Sequence, residues 1–294
     1  GQRPVELTRT HTLEPVLENE FLRVSIRRNG SVNILDKKSG KQFDECLLLV
    51  DRGDAGDSYV FRQVIADEVL TTRHIQAEVA YLVANEDMQR CRVAFEWQLP
   101  VSLTADGQSR SSQRVAMPVE MVLSLGRDSR HLDVEVTCDN RAKGHKLSVR
   151  FPDASEACGA TDDDEKAVWV GSQFDVIRRP VSAGAAFRRD ADAQPSWHWL
   201  ATGDADGGLA VFHEGLHEYE YKPANILLTL LRAVGWISGD AVHAPRDEES
   251  AVPGAQVQGK HTFRLALRPF AGPVEERVTE LYRDADAWLA GVTT

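Results

Sequence analysis

The most conspicuous chemical pattern is His213-Glu214-Gly215-Leu216-His217, which has the spacing of the H-E-x-x-H motif of zinc proteases. In that motif a helix presents both imidazoles to one zinc ion, and the glutamate acts as general base on the bound water. Here the apolar run Gly208–Phe212 leads into the motif, and the alternating run Glu218–Tyr221 leaves it. This context favours a strand, a turn and a second strand, in which the two imidazoles need not converge. Because glycine in a helix centre is also unfavourable, we expect no zinc site at this motif.

A second concentration of reactive side chains is the segment Asp51–Tyr59, which reads Asp-Arg-Gly-Asp-Ala-Gly-Asp-Ser-Tyr. Its carboxylates lie three residues apart, whereas a calcium-binding EF-hand loop uses alternate positions and a closing glutamate. Two interpretations stay open. The segment is either a tight, glycine-bent connection with solvated carboxylates, or a rigid loop that offers Asp54, Asp57 and Tyr59 to a polyhydroxyl ligand. Asp oxygens accept hydrogen bonds from sugar hydroxyls and a phenol stacks on a sugar ring, so these three are the candidate substrate-binding residues.

The aromatic triplet Trp197-His198-Trp199 is the third candidate site. In a strand, both indoles would lie on one face, where exposure would make them a sugar-stacking platform and burial would make them core residues. Burial is the commoner fate of large aromatic side chains, and we expect it here. The sequence shows neither a serine nucleophile elbow nor a phosphate-binding glycine loop, while a dispersed Ser–His–Asp triad stays open.

Strands are predicted to position these groups, because alternation of apolar and polar residues is the dominant pattern. Leu132–Val136 alternates aliphatic with carboxylate side chains, and Asn29-Gly30 is a hairpin turn between Phe21–Arg27 and Ser31–Leu35. Strands do not alternate with helices, which argues against a parallel doubly wound fold. Further strands are predicted at Val69–Val83, Cys91–Leu99, Val115–Leu125, His131–Cys138, Lys146–Phe151, Trp197–Ala201, Gly208–Phe212, Ile226–Leu231 and Thr262–Leu267.

One helix is predicted at 273–290, with Pro273 in its first turn and Gly291 after its end. Its apolar face should dock either on the sheets or on a part of the protein that this chain lacks. The fold class is therefore mainly β: a large antiparallel β-sandwich with one C-terminal α-helix. Residues 1–13 are polar and unpatterned and are interpreted as a linker from a missing N-terminal part, and 14–294 as one β-domain. The apolar face of the helix predicted at 273–290 comprises Val274, Val278, Leu281, Tyr282, Ala285, Trp288 and Leu289.

Composition excludes several kinds of partner. The 294 residues contain 34 Lys and Arg against 45 Asp and Glu, a formal net charge of −11. Nucleic-acid binding depends on clustered basic residues, so we expect no such partner. No apolar run reaches the length of a membrane span, and no membrane partner is expected. The four cysteines are scattered, which favours free buried thiols and a cytoplasmic protein.

Several blocks, taken in order, resemble the C-terminal β-domain of glycoside hydrolase family 38, the α-mannosidases and mannosylglycerate hydrolases. Together they extend from about Leu17 to Phe270, and Gly53–Tyr59 resembles the Asp- and Gly-rich loop ending in Tyr of the bacterial branch. The other blocks are Leu17–Val24, Asn29–Ser31, Asp36–Gly40, Phe174–Pro180, Gly208–Val211, Gly215–Glu220 and Leu227–Trp236.

This resemblance implies a galactose-mutarotase-like supersandwich in a zinc-dependent, retaining glycosidase with an N-terminal α/β barrel and a helical bundle. The motifs for the zinc ligands and nucleophile have no counterpart here, so this chain is expected to hold no catalytic residue and no cofactor. Zinc is expected in the missing catalytic domain. The expected partners are that N-terminal catalytic barrel and a mannose-type carbohydrate. Tyr59 is the residue expected to reach the sugar, supported by Asp54 and Asp57, while Arg232 is a weaker, structural candidate.

Two alternatives of other classes stay open. One is a free-standing carbohydrate-binding module, which would bind sugar without any partner domain. The other is a mutarotase-like sugar epimerase with a His–Glu acid–base pair, which rests on fold analogy alone. The leading hypothesis is the C-terminal domain of an α-mannosidase-type hydrolase, inactive when isolated.

Overall fold

A computed structural model describes residues 14–155, 166–181, 193–238 and 250–291. Across these ranges the chain forms strands β1–β19 and one helix, α1 (Val274–Leu289), which Pro273 precedes. No helix in these ranges has the length and apolar character needed to cross a membrane. The strands are β1 Val16–Glu18, β2 Leu22–Ile26, β3 Val32–Asp36, β4 Gln42–Cys46, β5 Leu48–Gly53, β6 Leu70–Thr71, β7 Glu78–Ala84, β8 Met88–Pro100, β9 Arg114–Gly126, β10 Leu132–Asn140, β11 His145–Pro152, β12 Ala167–Gly171, β13 Val176–Pro180, β14 Ala193–Pro195, β15 Trp199–Gly203, β16 Gly207–His213, β17 Glu218–Lys222, β18 Asn225–Ala233 and β19 Gly259–Ala271.

The strands form three antiparallel sheets. The first sheet has the order β1-β2-β3-β4, and the second has nine strands in the order β13-β12-β15-β16-β19-β10-β9-β8-β7. The third sheet has the order β14-β17-β18-β11-β5-β6. In this third sheet β11 pairs with β5 on one side and with β18 on the other, so residues far apart in sequence become neighbours.

All three sheets contribute to one large apolar core. Val24 of the first sheet, Val93 and Val134 of the second and Val149 of the third belong to the same cluster of buried side chains. In β10 the aliphatic residues are buried and the residues between them are less so, as alternation predicts. Sharing one core among three sheets means that each sheet hides one face and leaves the other for loops, α1 or solvent.

A smaller apolar cluster joins α1 to the outer face of the nine-stranded sheet. Trp199 and Phe212 are fully buried there, packed with Leu281 and Trp288 of the helix. The Trp288 indole Nε1 also donates a hydrogen bond to Asp133 Oδ1 at 2.7 Å. The helix therefore docks on the sandwich through the apolar face seen in the sequence.

The predicted fold class is confirmed: the chain is mainly β, built from antiparallel sheets, with one C-terminal helix. The Asn29-Gly30 hairpin joins β2 to β3, with Gly30 at φ +83°. The predicted strand Val69–Val83 is wrong as one element, because a 3₁₀ turn at Thr72–His74 divides it into β6 and β7. The linker predicted for residues 1–13 lies outside the described residues.

The described cysteines are free thiols. Cys46, Cys91 and Cys138 are fully buried. Burial raises the pKa of Cys91 and of Cys138 to about 12. These thiols therefore stay protonated and act as small apolar side chains, whereas Cys158 lies outside the described residues.

Candidate functional site

The candidate site is the segment between β5 and β6, and its first part, Asp54–Arg62, closes on itself. The Ala55 amide donates to the Arg62 carbonyl at 2.8 Å, and the Asp57 amide donates to the Val60 carbonyl at 3.1 Å. The turn is so tight that a Cβ atom at Gly56 would lie 1.9 Å from the Val60 carbonyl oxygen. We call residues 54–62 the Tyr59 loop. Glycine is required at position 56 because no side chain fits there.

Asp54 anchors the start of the Tyr59 loop. Its Oδ1 accepts hydrogen bonds from the amides of Gly56 (2.9 Å) and Arg62 (3.2 Å), and its Oδ2 accepts from Arg232 Nε at 2.9 Å. Burial raises the pKa of the Asp54 carboxyl, while Arg232 and the two amides act in the opposite direction. With 2% of its surface exposed, Asp54 holds the loop rather than facing solvent.

Asp57 and Tyr59 occupy the tip of the loop. Asp57 Oδ1 accepts hydrogen bonds from the amides of Tyr59 (2.8 Å) and Val60 (2.9 Å), a local Asx turn that fixes the backbone there. Ser58 donates from both its amide and its hydroxyl to the Trp236 carbonyl, each at 3.0 Å. The Tyr59 side chain is 76% exposed. A fixed backbone therefore presents a phenol to the outside of the chain.

A buried set of charges lies beneath the loop on the third sheet. Arg52 of β5 and Lys146 of β11 are cross-strand neighbours, and both bind the Glu220 carboxylate of β17. The distances from Glu220 Oε1 are 2.6 Å to Arg52 Nη2 and 2.6 Å to Lys146 Nζ. Burial by itself raises the pKa of Glu220, but the two cations together outweigh it and lower the pKa to about 2. Glu220 is therefore ionised at neutral pH. Its negative charge compensates the buried positive charges of Arg52 and Lys146.

A second polar network fixes the other face of β5. The Asp51 carboxylate binds Arg110 and His145 Nδ1, the latter at 2.5 Å. His145 Nε2 lies 3.0 Å from Asn140 Oδ1. Successive residues of β5 point to opposite faces, so Asp51 and Arg52 are held by different partners. Both faces of the strand that begins the Tyr59 loop are thus tied to the sheet.

The H-E-x-x-H motif spans a strand, a turn and a second strand, as its sequence context predicts. His213 ends β16, Gly215 turns the chain at φ +69°, and β17 begins at Glu218. His213 Nε2 lies 2.8 Å from Ser196 Oγ, whereas His217 is stacked on Trp197. In the part of the chain that the structure describes, no three His, Cys, Asp or Glu side chains are arranged to hold a metal ion. The described residues therefore do not fit a zinc site.

The expectation that Trp197 and Trp199 share one face of a strand is wrong. The strand β15 begins only at Trp199, which is fully buried against α1. Trp197 lies in the preceding turn, its amide bonded to the Gly171 carbonyl, with 40% of the side chain exposed. The turn breaks the strand periodicity, so only one of the two indoles is a core residue.

The charges beneath the loop were not predicted as a unit. Arg232 was expected to be a structural candidate, which its contact with Asp54 supports, but neither Lys146 nor Glu220 stood out in the sequence. Arg52 and Glu220 are 168 positions apart in sequence. The available signal was a charged residue next to aliphatic residues in a strand, as at Lys146 before Leu147 and at Arg52 in Leu48–Gly53. Such a residue needs a buried partner, but the sequence does not say which.

Known proteins similar to this chain include the following three. A protein of Halalkalibacterium halodurans, provisionally named a mannosylglycerate hydrolase, is 27% identical over 274 residues, covering 88% of this chain and 29% of the relative. The crystal structure of an α-mannosidase from Enterococcus faecalis V583 superposes with a TM-score of 0.80 at 27% identity, covering 92% of this chain and 31% of that one. A glycosyl hydrolase family 38 protein from Enterococcus faecalis gives a TM-score of 0.78 at 27% identity, covering 92% and 32%.

This chain spans less than a third of the length of each of these relatives. The family described as "Glycosyl hydrolases family 38 C-terminal domain" matches residues 17–244, which include the Tyr59 loop and the strands beneath it. The match covers well over half of the chain, and the two solved relatives share its fold. The chain therefore belongs to the C-terminal domain family of the family 38 glycosyl hydrolases.

Proposed function

We propose that this chain serves as the C-terminal domain of an α-mannosidase-type hydrolase, supporting the catalytic part and contributing Tyr59 to the rim of its sugar site. The observation that carries this proposal is the Tyr59 loop. It has an exposed phenol on a backbone held by Asp54, Asp57 and Arg232 within a domain of this family. Enzyme sites are commonly built from loops that a rigid sheet positions. A solvent-facing tyrosine held in this way suits a partner that the isolated chain lacks.

The three candidate residues take different roles in this proposal. Tyr59 reaches the sugar, because a phenol can stack on the ring and exchange hydrogen bonds with its hydroxyls. Asp57 and Asp54 act mainly through the backbone that carries Tyr59, since their oxygens are bonded to loop amides and to Arg232. Asp57 is only half-buried, and its Oδ2 has no hydrogen-bond partner among the described residues, which leaves it available to a hydroxyl group.

The catalytic partner is proposed from the relatives' length. They carry more than twice as much additional chain as this domain, which is consistent with a catalytic domain joined to it. Zinc, expected from the family resemblance, is assigned to that other part, since the described residues here do not fit a metal site. A mannose-type sugar is the proposed substrate class. Neither the free-standing module nor the epimerase is favoured by a family match to a hydrolase domain.

The test is turnover of an aryl α-mannoside and of mannosylglycerate by the full-length polypeptide carrying this chain. Tyr59→Ala should lower kcat/KM at least about tenfold, the loss of roughly 1.4 kcal/mol of transition-state binding, without lowering thermal stability. Tyr59→Phe should retain more activity, because it keeps the ring. The matched control is Phe174→Ala, which removes an aromatic ring that is 89% exposed on another loop. It should leave turnover unchanged.

The isolated chain should give no turnover with zinc present, and no heat in calorimetry with mannose. Turnover by the isolated chain would contradict the proposed division of labour, and sugar binding would favour the free-standing module. Equal activity of Tyr59→Ala and the Phe174→Ala control would remove Tyr59 from the sugar site.

A further inference from the structure

Phe61, at the far end of the Tyr59 loop, lies over a row of three cationic side chains. Arg52, Lys146 and Arg232 are cross-strand neighbours on β5, β11 and β18. The Phe61 ring centroid lies 4.6 Å from Lys146 Nζ, 4.8 Å from Arg52 Cζ and 6.0 Å from Arg232 Cζ. Lys146 is fully buried and Arg52 is 5% exposed, so this row is largely removed from water.

Three like charges on neighbouring strands repel one another, and the structure compensates them in two ways. Glu220 binds both Arg52 and Lys146, Glu218 also binds Lys146, and Asp54 binds Arg232. The face of the Phe61 ring adds a second attraction, because the negative face of an aromatic ring attracts desolvated cations. An aliphatic side chain of similar size would fill the same space without this attraction.

The contact bears directly on Tyr59, which lies two residues before Phe61. Asp54 ties the start of the loop to Arg232, and the Phe61 ring lies over the same cation row at the other end. Between them the backbone is closed by the Ala55–Arg62 and Asp57–Val60 hydrogen bonds. Because the Tyr59 side chain itself is largely exposed, its position depends on these two anchors.

We infer that Phe61 is a positioning residue: its contact with the buried Arg52 and Lys146 cations sets the conformation of the loop that presents Tyr59. The value of this for sugar binding rests on the proposed function. The contact lies entirely within this chain, so it can be tested on the isolated chain.

The test is residue-resolved amide hydrogen exchange of the 294-residue chain by NMR. The Tyr59 and Val60 amides report on the loop, because both donate to Asp57 Oδ1. Phe61→Leu keeps apolar volume but removes the ring face, and should speed exchange at both amides at least about tenfold. Phe61→Tyr keeps the ring face and should stay within about twofold of the unmodified chain. The matched control Phe174→Leu makes the same chemical change on another loop and should alter neither amide.

Exchange of core amides in β10 checks that each variant is folded. If Phe61→Leu loses core protection, Phe61→Met is read in its place, since it also fills space without an aromatic face. The inference is overturned if the folded aliphatic variant exchanges within twofold of the unmodified chain. It is also overturned if the Tyr59 and Val60 amides exchange as fast in Phe61→Tyr as in the aliphatic variant. The aromatic ring would then give no protection that an aliphatic side chain lacks. A failure of Tyr59→Ala to reduce turnover would refute the sugar-site role and leave this exchange result unaffected.

Discussion

His213 has a fully buried imidazole whose Nδ1 atom has no hydrogen-bond partner among the described residues. Burial lowers its pKa from 6.5 to about 3, with His217 and His198 adding to the effect. In the folded chain the His213 ring therefore stays neutral through most of the acidic pH range. A histidine inside a zinc-protease pattern here acts as a neutral core residue whose other nitrogen bonds Ser196.

This shift predicts a specific loss of stability in acid. The unfolded chain binds the His213 proton near pH 6.5 and the folded chain only near pH 3, so protonation favours unfolding as the pH falls between them. His213→Leu should reduce the fall in unfolding free energy between pH 6.5 and 4.5 by about 2 kcal/mol. Urea denaturation at a series of pH values measures this. The exposed His74 supplies the control, and His74→Leu should keep the original slope. An unchanged slope in His213→Leu would show that another group carries the acid sensitivity.

The connection between β5 and β6 has an exposed side chain at its tip on a backbone that hydrogen bonds hold in place. Its backbone is closed by internal hydrogen bonds and by carboxylates of the loop itself, while its tip carries the exposed Tyr59. Charge contributes to this restraint, because Arg232 binds Asp54 and the Phe61 ring lies over Arg52 and Lys146.

At this scale Gly56→Ala tests whether loop closure is as tight as the geometry indicates. The added Cβ would overlap the Val60 carbonyl oxygen, so the loop must open, which should cost about 1–3 kcal/mol of unfolding free energy. Chemical denaturation gives that number, and faster exchange at the Tyr59 amide would localise the opening. Gly254→Ala is the matched control, since no neighbouring atom lies within 4 Å of the added Cβ, and it should stay within about 0.5 kcal/mol. Equal stability of the two variants would mean that a Cβ atom fits at position 56 without opening the loop.

At the scale of the whole molecule, the residues that the structure describes form two apolar clusters with separate roles. The large one joins the three sheets, and the small one attaches α1 to the outer face of the nine-stranded sheet. Trp288 links the helix to this face by packing and by its hydrogen bond to Asp133. The helix is thus part of the folded unit that supports the Tyr59 loop rather than an appendage.

Removing that link should destabilise the whole fold. Trp288→Ala deletes a buried indole and should lower the unfolding free energy by about 3–5 kcal/mol, measured by urea denaturation. Trp197→Ala is a control of the same chemistry at an exposed turn position, where a smaller loss is expected. If the two substitutions destabilise the chain equally, the docking of α1 contributes little to the fold.

Much of the architecture could be predicted because its signals are local. Alternation marked β10, Asn29-Gly30 marked a hairpin, and an apolar stripe marked α1. The strand β5 was missed, since Leu48–Gly53 is buried on both faces and carries Asp51 and Arg52 near its end, so no alternation distinguishes it. The Tyr59 loop was recognised as a candidate, but the separation of its buried Asp54 from its exposed Tyr59 was not predicted.

The sequence by itself determined the fold class, the Asn29-Gly30 hairpin, the C-terminal helix and the family resemblance, because each depends on residue types at short spacing. Only the tertiary structure decided which charges are buried and with whom. Arg52 meets Glu220 across 168 positions and Asp54 meets Arg232 across 178, through the strand order of one sheet. A buried charge is stable only beside its partner, and strand pairing, not sequence distance, brings the two together.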